Sequence, residues 1–346
     1  MNYSSNLISE KDTIQEALTL LNSLTTELTL FVINDKKKIL GTLTDGDIRR
    51  GLLSGLNISS PITQCMNQSF RFIEKSNLTF SRIDSLKTQG IKLLPIIENG
   101  VLIEIFNLTT LKAYLPVDVV IMAGGQGQRL RPLTENIPKP LLPIGEKPIL
   151  EHLINHLVKF GVKNIHISLN YLGDQIVDYF GDGSSRGINI NYLKEKVRMG
   201  TAGALSSYNP PENDTILMIN SDILTDIDFS RFYKFFIDTN SDICVAGIPY
   251  EVKIPYAVLT LENNFIQSIE EKPVYTYFSN GGIYLINADL INNIPKDQKY
   301  DATDFIEDSL RENLKVSSYP VTDYWLDIGR HDDYLRAQKD ISALNI

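Results

Sequence analysis

The sequence holds only two cysteines in 346 residues, Cys65 and Cys244, and they share no metal-like spacing. A disulfide framework and a cysteine zinc site are therefore excluded, and buried free thiols in a reducing compartment are expected. No apolar run reaches the ~18 residues that a membrane helix needs, and no signal peptide opens the chain, so a cytoplasmic setting is expected. An excess of basic charge is also missing. Against 42 Asp and Glu stand 33 Lys and Arg, a formal charge of −9, which excludes a general nucleic-acid binder. His152 and His156 stand at i,i+4, but no Glu or Cys completes a zinc set, so both read as packing residues, as does His166. The Gly-Lys-Ser/Thr of a P-loop, the glycine spacing of a dinucleotide fold and a kinase catalytic loop are all absent.

What is present is a 43% hydrophobic chain long enough for about two domains. Its most distinctive stretch is Ala123-Gly124-Gly125-Gln126-Gly127-Gln128-Arg129-Leu130-Arg131-Pro132-Leu133-Thr134, followed by Pro138-Lys139-Pro140. The apolar segment Val117 to Met122 feeds it as a strand. Three glycines within four residues allow a tight turn whose backbone N–H groups face outward, a nest for phosphate oxygens. Arg129 and Lys139 supply the cations that a triphosphate needs.

The first 115 residues contain one pattern twice. Asp12 is read as the N-cap of a helix carrying Ile14, Leu18 and Leu21, followed by strands at 30–33 and 39–43 and a helix opening at Thr44-Asp45-Gly46-Asp47. A helix at 78–86, strands at 92–97 and 101–106, and a closing segment 108–112 repeat the order about 60 residues on. Residues 1–115 thus form a small α+β module that packs on its twin. With Gly41-Thr42-Leu43-Thr44-Asp45-Gly46-Asp47-Ile48-Arg49, this half resembles a tandem cystathionine-β-synthase (CBS) pair. The resemblance implies a regulatory or dimerising role, a homo-oligomer formed through the pairs, and an adenine nucleotide held at Thr44 and Asp47. Plain helix capping is the other reading of those two residues. The second copy departs from the pattern, with Asn107 and Thr110 at the matching positions, so at most one nucleotide site is expected. Leu115-Pro116 is the linker.

From Val117 on, strands and helices alternate: a helix at 149–160 ended by Gly161, a strand at 164–169, a helix at 172–180, and strands at 188–192 and 215–219. Mostly parallel strands with crossover helices give an open α/β sheet, with its site beyond the carboxyl ends of the strands. Asp222 follows one of those strands directly, and Asp327 stands in Trp325-Leu326-Asp327-Ile328-Gly329-Arg330. Two hard oxygen donors suit Mg2+, though sequence does not say whether the carboxylates meet.

The glycine run, with Pro132-Leu133-Thr134 and Pro138-Lys139-Pro140, resembles the signature of the sugar-1-phosphate nucleotidyltransferases, over 117 to about 340. The resemblance implies a Rossmann-like domain at 117–346 and the reaction of an NTP with a sugar 1-phosphate to give an NDP-sugar and pyrophosphate. It implies that Ala123, Gly124, Gly125 and Gly127 bind nucleotide. Arg129 is to hold the departing phosphates, Lys139 to neutralise charge at the α-phosphate, and Asp222 and Asp327 to hold Mg2+. Glu270-Glu271-Lys272-Pro273 matches the segment that contacts sugar and phosphate, which assigns Glu271 and Lys272. Asn280-Gly281-Gly282 matches the sugar-contacting turn, which assigns Asn280 and Gly281.

Lys194-Glu195-Lys196-Val197-Arg198-Met199-Gly200-Thr201-Ala202-Gly203 resembles the base-recognition segment of mannose-1-phosphate guanylyltransferases and their relatives. Glu195 is expected to accept from a guanine edge, with Gly200, Thr201 and Ala202 completing the contact. GTP is the expected nucleotide, with UTP and CTP as alternatives. The sugar is mannose, glucosamine or heptose. The stretch to Ile346 shows no long hexapeptide repeat, so no acyltransferase half is expected. A rival of another class, an inactive nucleotide-sensing regulator, would have lost Arg129, Lys139 or the two aspartates, and all are present.

Overall fold

The computed structural model describes residues 3–25, 27–195, 197–208 and 211–344. Lys196, in the base-recognition segment, and Ile346 lie outside them. The chain divides into two compact units, Met1–Leu115 and Pro116–Ile346. Among the described residues no helix is long and apolar enough to cross a membrane.

The first unit contains its repeat in three dimensions. In one copy, β1 (Leu7–Ser9) lies parallel to β2 (Thr29–Ile33), and β2 antiparallel to β3 (Ile39–Thr44), with α1 (Ile14–Ser23) as crossover. In the other, β4 (Ile73–Glu74) lies parallel to β5 (Leu93–Glu98), and β5 antiparallel to β6 (Val101–Asn107), across α3 (Phe80–Thr88). The crossover helix permits the parallel pair, and the short turn the antiparallel one. Phe31 of β2 is fully buried against Leu93 and Ile105, an apolar cluster that joins the copies together with backbone bonds from the Ile39 amide to the Gly100 carbonyl at 3.2 Å and from the Leu102 amide to the Lys37 carbonyl at 3.0 Å.

One detail corrects the sequence reading. The N-cap of α1 is Thr13, not Asp12. Thr13 and Glu16 form a reciprocal capping box, with the Thr13 amide donating to Glu16 at 2.7 Å, whereas Asp12 accepts from the Ser9 amide at 3.0 Å. The first copy ends in α2 (Asp45–Leu53), but no helix follows β6. There the Asn107 side chain accepts from the Thr109 amide and hydroxyl, a turn that competes with helix.

The second unit is built on a seven-stranded sheet. In chain order its elements are β7 (Asp118–Met122), the short hairpin β8 (Pro143–Ile144) and β9 (Lys147–Pro148), α4 (Ile149–Val158), β10 (Asn164–Leu169), α5 (Gly173–Phe180), β11 (Asn189–Lys194), α6 (Gly200–Gly203), β12 (Thr215–Asn220), β13 (Ile223–Thr225), α7 (Phe229–Asp238), β14 (Ile243–Lys253), β15 (Val258–Glu262), β16 (Phe265–Glu270), β17 (Val274–Asn287), α8 (Ala302–Arg311), β18 (Val316–Pro320), β19 (Trp325–Asp327) and α9 (His331–Asp340). The sheet order is β11-β10-β7-β12-β17-β14-β18, and β17 is its single antiparallel member. It is a Rossmann-like, mixed but mostly parallel sheet. β7 is buried along its whole length: Val119 to Met122 are apolar, as a strand covered on both faces requires, and the buried Asp118 at its start accepts from the Glu212 and Asn213 amides at 2.8 and 3.0 Å.

The chain runs from β7 outward to β10 and β11, then returns to β12 on the other side of β7. The order therefore reverses between β7 and β12, and a crevice opens beyond their carboxyl ends. The strand expected at 188–192 runs instead over Asn189–Lys194, because parallel pairing to β10 continues to Leu169–Lys194.

His152, His156 and His166 are packing groups. His152 and His156 are buried on α4 and bond the carbonyls of Ile144 and Ile227, each at 2.8 Å. His166 is buried against Tyr208, with ring centroids 4.3 Å apart, and burial pulls its pKa below the ordinary imidazole value. Cys244 is buried, which pushes its thiol pKa up to about 11, and Cys65 is partly buried; both are free.

Candidate active site

The glycine run leaves β7 at its carboxyl end, where the Ala123 amide donates to the Ser168 carbonyl of β10 at 3.0 Å. Gly127 has φ +60°, and a Cβ there would lie 2.9 Å from the Thr134 methyl group and 3.1 Å from Lys139 Cβ. Only glycine meets both demands. Thr134 is fully buried, and its hydroxyl donates to the Gly127 carbonyl at 2.8 Å. The Pro-Leu-Thr segment thus pins the loop. The loop, Arg129 and Lys139 line a cavity of about 620 Å³.

The two aspartates do meet. β13 pairs antiparallel with β19 in a register that places Ile223 opposite Asp327, so Asp222 and Asp327 are neighbours across a strand pair. The Lys139 ammonium bonds Asp222 and lies 3.8 Å from Asp327, and its side chain is only 10% exposed. Burial raises the Asp327 pKa above the usual carboxylate value, repulsion from Asp222 adds to it, and Lys139 and Arg129 oppose both. One oxygen of Asp327, Oδ1, is buried without a hydrogen-bond partner among the described residues.

These observations bear on a metal. The described residues contain no group of three His, Cys, Asp or Glu that would cage one. Two hard carboxylates sharing a cation, one with an orphaned oxygen, still fit Mg2+, which keeps several waters and takes phosphate oxygens as ligands.

Glu195 has a different first duty from the one expected. It follows β11, and its carboxylate accepts from the Ser168 hydroxyl and, at 3.1 Å, from the Met199 amide. Both oxygens already hold protein donors. A Cβ on Gly124 would lie 2.8 Å from Glu195 Oε1, so the glycine loop and the base-recognition segment are clasped here. The Glu195→Ala variant, which loses these charge-assisted bonds, is expected to melt a few degrees below wild type. Thermal melts followed by circular dichroism check this.

The backbone groups expected to meet the base are also engaged. The amides of Ala202 and Gly203 donate to the Tyr300 carbonyl at 3.0 and 2.9 Å, and the Thr201 amide donates to Asp301 at 3.3 Å. The Thr201 hydroxyl accepts from the Ala302 amide at 2.7 Å. Lys299 and Asp301, an ion pair at 2.6 Å, line the large cavity. The sequence reading missed Lys299, Tyr300, Asp301 and Ser168. The one available signal was the Asp-x-x-Asp capping box, in which the Asp301 amide donates to Asp304 at 2.9 Å.

Asn280 and Gly281 line a second cavity, about 160 Å³, with Tyr284, Trp325 and Asp327. Asn220 lines both cavities. Glu271 and Lys272 line neither. They sit in the turn between β16 and β17, 71% and 69% exposed and 4.0 Å from each other. The outer halves of β14 and β17 pair as a ribbon away from the buried sheet and carry them with it.

In the first unit, Thr44 and Asp47 are both engaged at the start of α2. The Thr44 amide and hydroxyl donate to Asp47 at 2.9 and 2.6 Å, and Arg50 pairs with the other Asp47 oxygen at 2.6 Å. This is the helix-capping arrangement.

Comparison with known proteins places these features. The family described as "Nucleotidyl transferase" matches residues 118–343, and that described as "CBS domain" matches residues 4–54. The chain is 32% identical over 220 residues to the D-glycero-alpha-D-manno-heptose 1-phosphate guanylyltransferase of Campylobacter jejuni, covering 63% of this chain and 97% of the relative. It is 30% identical over 247 residues to the UTP–glucose-1-phosphate uridylyltransferase of Synechocystis, covering 66% of this chain but only 64% of that longer relative. The crystal structure of HddC from Yersinia pseudotuberculosis complexed with GMP-PN is similar at a TM-score of 0.51 and 30% identity, over 65% of this chain and 99% of that one.

Proposed function

Because the chain belongs to the nucleotidyl transferase family, we propose that it transfers a guanylyl group from GTP to a sugar 1-phosphate of manno configuration. A phosphate oxygen of the sugar 1-phosphate attacks the α-phosphorus of GTP. The bond from that phosphorus to the β-phosphate bridge oxygen breaks, and GDP-sugar and pyrophosphate form. The observation that carries the reading is Lys139, lodged between Asp222 and Asp327 where a large cavity meets a small one. One cavity takes the triphosphate and the other the sugar.

In this reading the loop amides of Gly124 to Gly127 and the Arg129 guanidinium hold the β- and γ-phosphates, while the Ala123 amide, bonded to the Ser168 carbonyl, anchors the loop, so the departing charge is met by fixed donors. Lys139 neutralises charge at the α-phosphorus. No protein nucleophile is needed, because positioning two substrates in line supplies most of the rate. Asp222 and Asp327 hold Mg2+, which when bound withdraws charge from phosphate oxygens. Asn280 and Gly281 face the sugar.

Guanine is favoured by the Met199-Gly200-Thr201-Ala202-Gly203 segment and by the names of the Campylobacter relative and the Yersinia complex; the manno configuration rests on the former name. The Synechocystis relative keeps a uridylyl enzyme as the alternative. A matrix of GTP, UTP and CTP against mannose, glucosamine, glucose and heptose 1-phosphates, read by pyrophosphate release, tests both choices. GTP with a manno sugar is expected to give the highest kcat/KM. Equal or greater release with UTP or CTP sinks the guanylyl assignment.

The N-terminal repeat is assigned to assembly rather than to adenine nucleotide, because capping and Arg50 occupy Thr44 and Asp47. With the catalytic site saturated by GTP, the full chain is expected to bind no AMP or ATP at millimolar concentration in equilibrium dialysis. Saturable binding there would reverse this assignment.

A further inference from the structure

Beyond Gly247, β14 pairs only with β17, and between them in the chain β15 and β16 pair with each other as a second hairpin. The registers sort the side chains by face, because directly opposed residues of an antiparallel pair point to the same side. In the ribbon of β14 and β17, Tyr250 stands opposite Tyr277 and Val252 opposite Tyr275, and this face carries no charge. The other face holds Glu251 and Lys253, an ion pair at 3.5 Å, beside Val274, Thr276 and Phe278. The hairpin repeats the division. Leu259 stands opposite Ile269 and Leu261 opposite Ile266, whereas Glu262 and Glu270 fall on the other face.

Both uncharged faces lie in water. Tyr250, Val252 and Tyr277 on the ribbon, and Leu259, Leu261, Ile266 and Ile269 on the hairpin, are between 36% and 64% exposed. Antiparallel strands with one apolar and one polar face ordinarily turn the apolar one to a core. A two-stranded hairpin is also marginal in water until such a face is covered. Taking about 200 Å² for a fully exposed residue of this size, these side chains leave roughly 800 Å² per chain to cover, one partner's share of a standard protein–protein interface.

The charge pattern says what covers them. A two-fold contact sets a patch against itself, so a charge on it meets its own sign, and these faces have none. A bilayer is disfavoured: Glu251, Glu262, Glu270 and Glu271 outweigh Lys253 and Lys272, a negative balance that anionic lipid repels. We infer that the uncharged faces of the ribbon and hairpin are the surface on which a second copy of this chain docks, ribbon against ribbon about a two-fold axis. This interface is additional to any assembly through the N-terminal repeat.

The test is sedimentation velocity on the full-length protein. At about 10 µM, wild type is expected to sediment as a dimer or a multiple of one, since interfaces of this size hold at micromolar concentration and below. Tyr277→Glu and Leu261→Glu, one on each uncharged face, are expected to halve the wild-type mass, because each buries an unpaired carboxylate in the contact. Thr276→Lys, on the charged face opposite Glu251, is expected to leave the mass unchanged. A monomeric wild type overturns the inference, and phosphatidylglycerol vesicles then test a bilayer as the occupant. Wild-type mass retained by either glutamate variant overturns it too, as does a mass halved by Thr276→Lys. Should the glutamate variants not fold, Tyr277→Ala and Leu261→Ala decide. Each is expected to raise the dissociation constant about tenfold or more, and a change under about twofold in both refutes the contact.

Discussion

Lys139→Ala is expected to lower turnover by about 10²-fold or more, roughly the 2.7 kcal/mol that one oriented stabilising donor supplies to a transition state. The ammonium is nearly buried, bonds Asp222 and lies 3.8 Å from Asp327, so nothing mobile replaces it at the reacting centre. Its loss also leaves two carboxylates facing one another, opposed by Arg129. The variant is therefore expected to unfold at a lower temperature than wild type without divalent cation. Added Mg2+ is expected to raise its Tm more than that of wild type, since a cation that binds the native pair stabilises by mass action. Unchanged turnover would remove Lys139 from its role. An equal Mg2+ response in both proteins would separate Lys139 from the carboxylate pair.

Asp222→Asn is the second large effect, with an expected loss of about 10² to 10³-fold in kcat/KM. The change keeps the side-chain shape but removes the charge that pairs with Lys139 and that hard cations require. The Mg2+ concentration for half-maximal rate is expected to rise in the same variant. Asp327→Asn is expected to act in the same direction, and, on the proposal that both residues serve one cation, the double variant to lose much less than the sum of the two. Additive losses would mean that the aspartates act separately. Circular dichroism and thermal melts of each variant exclude unfolding as the cause.

Much of this site was readable from local sequence. The strand into the glycine loop, the helix after it and the strand that ends at Asn220 are continuous stretches whose apolar periods and glycines state their own structure. What escaped is nonlocal. Asp222 and Asp327 meet only because β13 and β19 pair, and no spacing in the chain encodes that register. Glu195 looked like an acceptor waiting for a base, whereas Ser168 and the Met199 amide use its carboxylate. Tyr300 and Asp301 carried a helix-start signal, but their place against Gly200 to Gly203 is a tertiary fact. Glu271-Lys272-Pro273 is a different case: the local pattern is plain, but Glu271 and Lys272 are exposed in the turn between β16 and β17 and line neither cavity.

The account rests on one claim, that a sugar phosphate oxygen attacks the α-phosphorus of GTP in a site formed by the two cavities. The direct measurement supplies GTP, Mg2+ and a manno sugar 1-phosphate whose phosphoryl oxygens are all 18O, and reads both products by mass spectrometry. The predicted result is GDP-sugar carrying every labelled oxygen and pyrophosphate carrying none. Label in pyrophosphate, or GTP consumed with no GDP-sugar formed, would contradict it.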